Sequence, residues 1–582
     1  MKDAADSIVC PKVQSRLKLS SSKFAKPEID LAFARMVTMS ICRSGFLDSY
    51  FTKHFFETYM SYAIPSRRTL YRTLLDQLYE DTRKKVLYAM NLRDADTLLT
   101  LSMDSWNAPN GEHIRNYMGV ADNGIDYMLC ARQLGSTSQT GEAIAKDCLS
   151  VMKKYGVDNF CSVVTDNAAN ETSSWKPITK ENPDILCTGC ACHGATLMFK
   201  DICDHTWAKR IVDDATKLMK FIKHHTWTNK TLKKMTAAKG KQRSILLHAE
   251  TRFAGSYYSM SRLIEVKSEI KSMVVTDEFE SKKYANQAEI QRLCQKKSFW
   301  DDVTSLVKFM RPLKNLIRLM DHSHHTTHLV YPALVQLGDK WLAMKGNVTA
   351  SFYNHAMSKY RYRVKYILFP VHHITYALSP EHHADNIWAL DKVMSGTTQI
   401  MRVYLDARET SEAESQLIAY KAYRSPTLFP YDPKSDDDDD DDDDTGPNAD
   451  KPHYIKSPKN WWRINGSKWP LLQTVALRVF SVGTASAPSE RNFSAFGNIW
   501  NLRSYNISDV NAIKLVYVYY NTRKLFKQEL DAYEGIEYGW LDCLDKDEPE
   551  YDCNDSSDDD SPPDIGSDDD RSSDDDCSSD SN

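Results

Sequence analysis

Two predicted strands that each close on an aspartate limit this chain more than any other feature of its sequence. In "TLLTLSMD" (97–104), Leu99, Leu101 and Met103 alternate with Thr100, Ser102 and Asp104, the two-residue period of a half-buried strand. "NYMGVAD" and "YMLCARQLG" are short strands on either side of "DNGID", a good hairpin signal. Residues 139–155 follow a helical period, and "NFCSVVTD" (159–166) reads as a buried strand that runs straight into Asp166. "DILCTGC" is a candidate further strand, ahead of a helix opening near His193. Three strands, a helix, then strand and strand with helices between them describe an α/β sheet. If the strands of Asp104 and Asp166 are neighbours, their carboxylates come close together.

The rest of the chain reads as helical or acidic. At 582 residues it exceeds what one core organises, so several domains or a large insertion are expected. Residues 1–28, rich in Lys and Ser, are expected to be a disordered basic N-terminus. Residues 29–95 are a helical region, with Leu70, Leu74, Leu78 and Tyr79 at helical spacing behind Ser66 as N-cap. Residues 96–200 form the first part of the sheet domain and 201–430 a helical stretch. The segment 431–458 is an acidic linker. Residues 459–530 resume patterned helices, with Val510, Ile513, Val516, Tyr517 and Tyr520 as an apolar stripe behind a cap at Ser508. An acidic tail, 542–582, is expected to be disordered.

Charge is distributed unevenly. The formal net charge is -5, yet the tail carries -16 and the run Asp436–Asp444 carries -9, which leaves +20 on the remainder. So basic a body favours a polyanion such as nucleic acid. The acidic runs are either solvated tails or an internal mimic of that polyanion. Thirteen scattered Cys, without a signal-peptide pattern, suggest reduced thiols in the cytosol or nucleus. No stretch approaches 18 uninterrupted apolar residues, so no membrane partner is expected.

Two carboxylates side by side repel and call for a cation, and hard oxygen ligands suit Mg²⁺ or Mn²⁺. Two such ions can serve phosphoryl transfer. Glu490, in "SAPSERNFSAFG", is the candidate third acid, in the first turn of a helix that Pro488 helps to start. Each acid also has a purely structural reading, since strand-end Asp caps helices and first-turn Glu answers the helix dipole.

The motifs "LSMDSW", "VVTDNAAN", "GCACHGATLMFKDI" and "HAETRFAGSYYSM" occur in the order, and with roughly the spacing, of hAT-superfamily DNA transposases. "WWRINGSKWPLLQTVALRVFSVGTASAPSERNFSAFGNIWNLRS" resembles the C-terminal dimerisation region of that superfamily, and "FMRPLKNLIRLMD" and "YALSPEHH" resemble its middle segments. The resemblance spans about 45–525 and implies a ribonuclease-H-like mixed sheet interrupted by a large helical insertion. It makes Asp104, Asp166 and Glu490 the catalytic and metal-binding acids, with Mg²⁺ or Mn²⁺ as cofactor. It also implies supporting or DNA-contacting roles for Cys190 and His193 (the C-x-x-H), for Arg252 and Phe253, and for Arg491. Phe253 could stack on a displaced base, or be a core residue of the insertion.

The implied chemistry uses no covalent enzyme intermediate. Water cuts a strand at a transposon end, the freed hydroxyl attacks the opposite strand, and the excised 3′ end joins target DNA. The implied partners are double-stranded DNA and a second copy of the chain, as a homodimer or higher oligomer, in the nucleus. Three features stay open. "CTGCACH" has zinc-like elements, "DHSHHTTH" (His322, His324, His325, His328) is a metal cluster or a plain loop, and "KTLKKMTAAKGKQR" (230–243) is a backbone contact or a solvated surface. The paired Cys/His of a BED-type zinc finger are absent, since before residue 100 only Cys10, Cys42 and His54 occur. The alternative function is therefore a domesticated or decayed relative that binds DNA and dimerises without cutting.

Overall fold

The structure is a computed structural model and describes residues 25–41, 44–91, 97–108, 111–135, 139–240, 243–247, 254–322, 324–424, 457–501 and 507–526. The acidic run, the acidic tail, Arg252, Phe253 and most of the basic N-terminus lie outside the described residues.

Five strands form one sheet: β1 (Leu99–Asn107), β2 (His113–Ala121), β3 (Asp126–Gln133), β4 (Phe160–Thr165) and β5 (Leu186–Gly189). Their order is β3-β2-β1-β4-β5. The β1/β2 and β2/β3 pairs are antiparallel, and the β1/β4 and β4/β5 pairs are parallel. This is the ribonuclease-H-like mixed sheet expected from the sequence. The Asn-Gly hairpin forms as predicted: Ala121 N–H donates to the Ile125 carbonyl at 2.8 Å, and Gly124 takes a φ of 78°, which a glycine adopts without strain.

The central strand β1 is covered on both faces. Leu99, Leu101 and Met103 pack with Val86 and Met90 of the helix Leu75–Asn91, and with Ile144, Cys148 and Met152 of the helix Gly141–Tyr155. On the other face, Ile114, Met118 and Val120 of β2 lie under the helices Ala487–Asn501 and Asp509–Leu525. A second core joins the helix Ala191–Cys203 to the helices of 206–367. A third gathers Pro370–Leu378, Asp391–Tyr404, Ala407–Ala422 and Pro470–Val479 around Trp461, Trp462 and Trp469.

Three local outcomes bear on the sequence reading. The first helix begins at Lys26, with Pro27 in its first turn, so the segment expected to be loose through residue 28 is already helical there. Ser66 caps as predicted, its Oγ accepting from Thr69 N–H at 3.1 Å. The stripe from Val510 to Tyr520, read as surface in need of a partner or of the core, is largely in the core. Val516, Tyr517 and Tyr520 are buried, while Val510 stays exposed. From the same helix the Asn521 amide receives Met128 N–H at 3.0 Å and donates to its carbonyl at 2.9 Å, so a side chain takes the place of a neighbouring strand along β3. Among the described residues no helix is long and apolar enough to cross a membrane.

Candidate active site

Register brings the first two acids together. In the parallel β1/β4 pair Ser102 stands opposite Val164, so Asp104 and Asp166 each lie two residues further on, at the same edge of the sheet. Glu490 arrives from almost four hundred residues away through contacts made by β1 itself. Thr100 Oγ1 accepts from Gly483 N–H at 2.7 Å and donates to the Ser481 carbonyl at 3.2 Å. Ser102 Oγ meets Ser489 Oγ at 3.2 Å, one residue before Glu490. Thr100 and Ser102 look like a solvent-facing row in the sequence, yet both are fully buried, because the segment Ser481–Ser489 lies across them. Glu490 then sits in the first turn of Ala487–Asn501, with Pro488 at the start, as expected.

The acids feel one another. Burial pushes Asp104 up to about 7; its 2.7 Å bond from Ser105 N–H opposes this, while the charges of Asp166 and Glu171 add to it. Burial pushes Glu490 up to about 9, reinforced by the charges of Asp104 and Asp321. Asp166 also accepts Ala168 N–H at 2.9 Å, which turns the chain into the helix Ala169–Glu181. Helix entry and a place in the acidic cluster are thus both properties of Asp166.

Four further residues complete the surroundings, and the sequence reading passed over all of them. Arg115 Nη2 pairs with the buried Glu171 at 2.9 Å, and its Nε donates to Ser105 Oγ at 3.3 Å. Arg491 reaches the Asp321 carboxylate at 3.2 Å and its carbonyl at 3.1 Å. Asn116 stands directly opposite Asp104 in the antiparallel register, on the same face, with both amide atoms buried and unpartnered. Only Glu171 carried a local signal, five residues beyond Asp166 in the same motif. Arg115, Asn116 and Asp321 have none, because strand pairing and the packing of a distant helix bring them in.

Cys190 is a structural joint. Its Sγ accepts from His193 N–H at 3.2 Å, capping the helix Ala191–Cys203, and from Ser486 N–H at 3.3 Å. Its own N–H donates to the Thr165 carbonyl at 2.7 Å, and Ala191 N–H to that of Thr484 at 3.1 Å. The end of β4, the helix and the approach to Glu490 are locked at one residue. Burial pushes the thiol up to about 12, so the sulfur acts as a neutral acceptor. Burial lowers His193, against the pull of Asp166. Gly189 is demanded by contact, since a Cβ there would sit 1.6 Å from Asn167 Oδ1, just past Asp166. Cys187 lies on β5 and Cys192 is buried in the second core. His322 and His324 stack at 5.3 Å ahead of the helix Thr327–Ala343, and His325 and His328 pack inward.

Carboxylates are the hard donors that Mg²⁺ or Mn²⁺ prefers. The two nearby arginines already have acidic partners, Arg115 with Glu171 and Arg491 with Asp321. The donor set therefore fits a divalent cation. Among the described residues no three His, Cys, Asp or Glu side chains stand, as placed, in a group that could hold a metal ion. The acids are neighbours without a closed ligand shell.

Two family models match the chain. Residues 65–218, which include both aspartates, match the Domain of unknown function (DUF659). Residues 449–522, which include Glu490, match the hAT family C-terminal dimerisation region, and this supports assembly as a homodimer or oligomer. Comparison with curated proteins finds no match. With the mixed sheet, the helices that interrupt it and a dimerisation region carrying the third acid, the chain belongs to the hAT transposase family.

Proposed function

We propose that this protein is a transposase that cuts and joins double-stranded DNA in the nucleus, using Mg²⁺ or Mn²⁺ held by Asp104, Asp166 and Glu490. The observation that carries this reading is the gathering of three acids at one sheet edge, two of them pushed far up by burial, beside arginines already engaged. Divalent cations bound there would supply Lewis acidity toward a phosphodiester and the hydroxyl that attacks it. The chain's own residues hold the acids in place. Ser105 and Ala168 N–H groups each fix one carboxylate oxygen, the Ser102–Ser489 contact sets Glu490 against β1, and Cys190 fixes the approach to it. The basic charge of the body supports a DNA partner, and a DNA partner supports nuclear residence.

The test is nicking of supercoiled plasmid with Mg²⁺ or Mn²⁺. The wild type nicks, while Asp104→Asn, Asp166→Asn and Glu490→Gln each lose nicking with the fold intact by circular dichroism. Retained nicking in any one variant removes that acid from the site. A wild type that binds DNA and dimerises but never nicks replaces this reading with that of a non-cutting relative.

A further inference from the structure

The helix Tyr50–Met60 buries none of its residues, although its sequence is "YFTKHFFETYM". Tyr50 is 70% exposed, Phe51 80%, Phe55 50%, Tyr59 67% and Met60 50%. Only Thr52 and Phe56 turn half inward, and Phe56 meets Phe33 at 5.4 Å and Tyr62 at 6.3 Å. The exposed rings form two adjacent ridges at i, i+4 spacing. One is Tyr50, His54 and Thr58, with Tyr50 stacked on His54 at 5.6 Å and Thr58 bonded to His54 at 3.2 Å. The other is Phe51, Phe55 and Tyr59, with the last two at 5.7 Å. An isolated helix of 11 residues is marginal in water, and a ringed face of this kind marks an interaction site.

We propose that this face pairs with the same face of a second copy, as a self-association surface separate from the C-terminal dimerisation region. Three observations select that occupant. The first is area. At roughly 200 Å² per large side chain, the five exposed residues present about 600 Å², so two copies cover about 1,200 Å², the lower bound of a stable interface. The second is charge. The helix carries one cation, Lys53, and one anion, Glu57, a neutral pair that suits neither a polyanion nor an anionic membrane. Two antiparallel copies related by a two-fold axis at Phe55 set Phe51 against Tyr59, and Lys53 of one copy against Glu57 of the other. The i±4 ridges supply the interdigitation such a crossing needs. The third is continuity. Phe56 and Tyr62 belong to the same core as Ala512–Tyr520 of the matched dimerisation region, whose own stripe is spent inside the chain.

The inference stands whether or not the protein cuts DNA. The full chain is sedimented across a micromolar range beside two variants. In Phe51→Asp with Tyr59→Asp the dissociation constant of one association step rises at least tenfold, with circular dichroism unchanged because both side chains are exposed. Lys53→Glu weakens the same step about fivefold, as an interface-rim charge does, and adding Glu57→Lys in the same chain restores it. A photoreactive benzoylphenylalanine in place of Thr58 yields a cross-link to residues 50–60 of a second copy. Unchanged self-association in the double aspartate variant overturns the proposal. So does a cross-link to residues 1–24 of the same chain.

Discussion

Glu490 should make the metal-free protein less stable than its own amide variant. Its carboxyl is raised from 4.5 to about 9 by burial and by the charges of Asp104 and Asp321. A folded pKa above the unfolded one means that the native state holds a proton which the unfolded chain has already released. The resulting cost is absent below the unfolded pKa, grows as pH rises and levels off above the folded value. At about pH 8 the full shift corresponds to on the order of 4 kcal/mol, and solvent at a half-buried carboxyl reduces this to roughly 2 kcal/mol. Glu490→Gln keeps the shape and cannot ionise. Thermal melts in EDTA therefore show the variant more stable than wild type by about 2–4 °C at alkaline pH, given the small shift per kcal/mol in a body this large. The gap closes toward pH 5. Added Mg²⁺ stabilises wild type by mass action and does less for the variant, which narrows or reverses the difference. A variant less stable than wild type in EDTA at about pH 8, or a difference that does not change with pH, refutes the claim that Glu490 is a strained acid awaiting a cation.

Three further outcomes follow from the same surroundings. Arg115→Met leaves Glu171 buried without its partner and costs about 3–5 kcal/mol in urea unfolding, most of which Glu171→Gln in the same chain recovers. Cys190→Ala removes the acceptor for two N–H groups and destabilises by about 1–2 kcal/mol, while Cys190→Ser retains an acceptor and loses less by the same assay. Trp462 is fully buried, and its indole N–H donates to the Leu378 carbonyl at 2.8 Å, so Trp462→Ala costs about 3–5 kcal/mol by calorimetry without touching the acids.

What the sequence disclosed, and what it withheld, follows the range of each interaction. The alternation around Leu99–Met103 and the Asn-Gly turn are local, and both strands and hairpin were legible from them. The convergence of Asp104 with Glu490 depends on Thr100 meeting Gly483 and Ser102 meeting Ser489, and neither pair leaves a trace in a single sequence. Only resemblance to relatives joined them. Periodicity also says which residues are covered without saying by what. The stripe at Val516–Tyr520 is covered by β3 and the helix Leu75–Asn91, an outcome indistinguishable by pattern from a dimer contact. The helix Tyr50–Met60 errs the other way: rings on nearly every side give no clean apolar stripe, so the segment drew no notice although it keeps the most exposed aromatics. An internal core and a self-association surface are made of the same residues, and only the folded chain's own geometry shows which of the two has already been satisfied. On that criterion the C-terminal helix has found its partner within the chain, and the search for an intermolecular contact moves to Phe51, Phe55 and Tyr59.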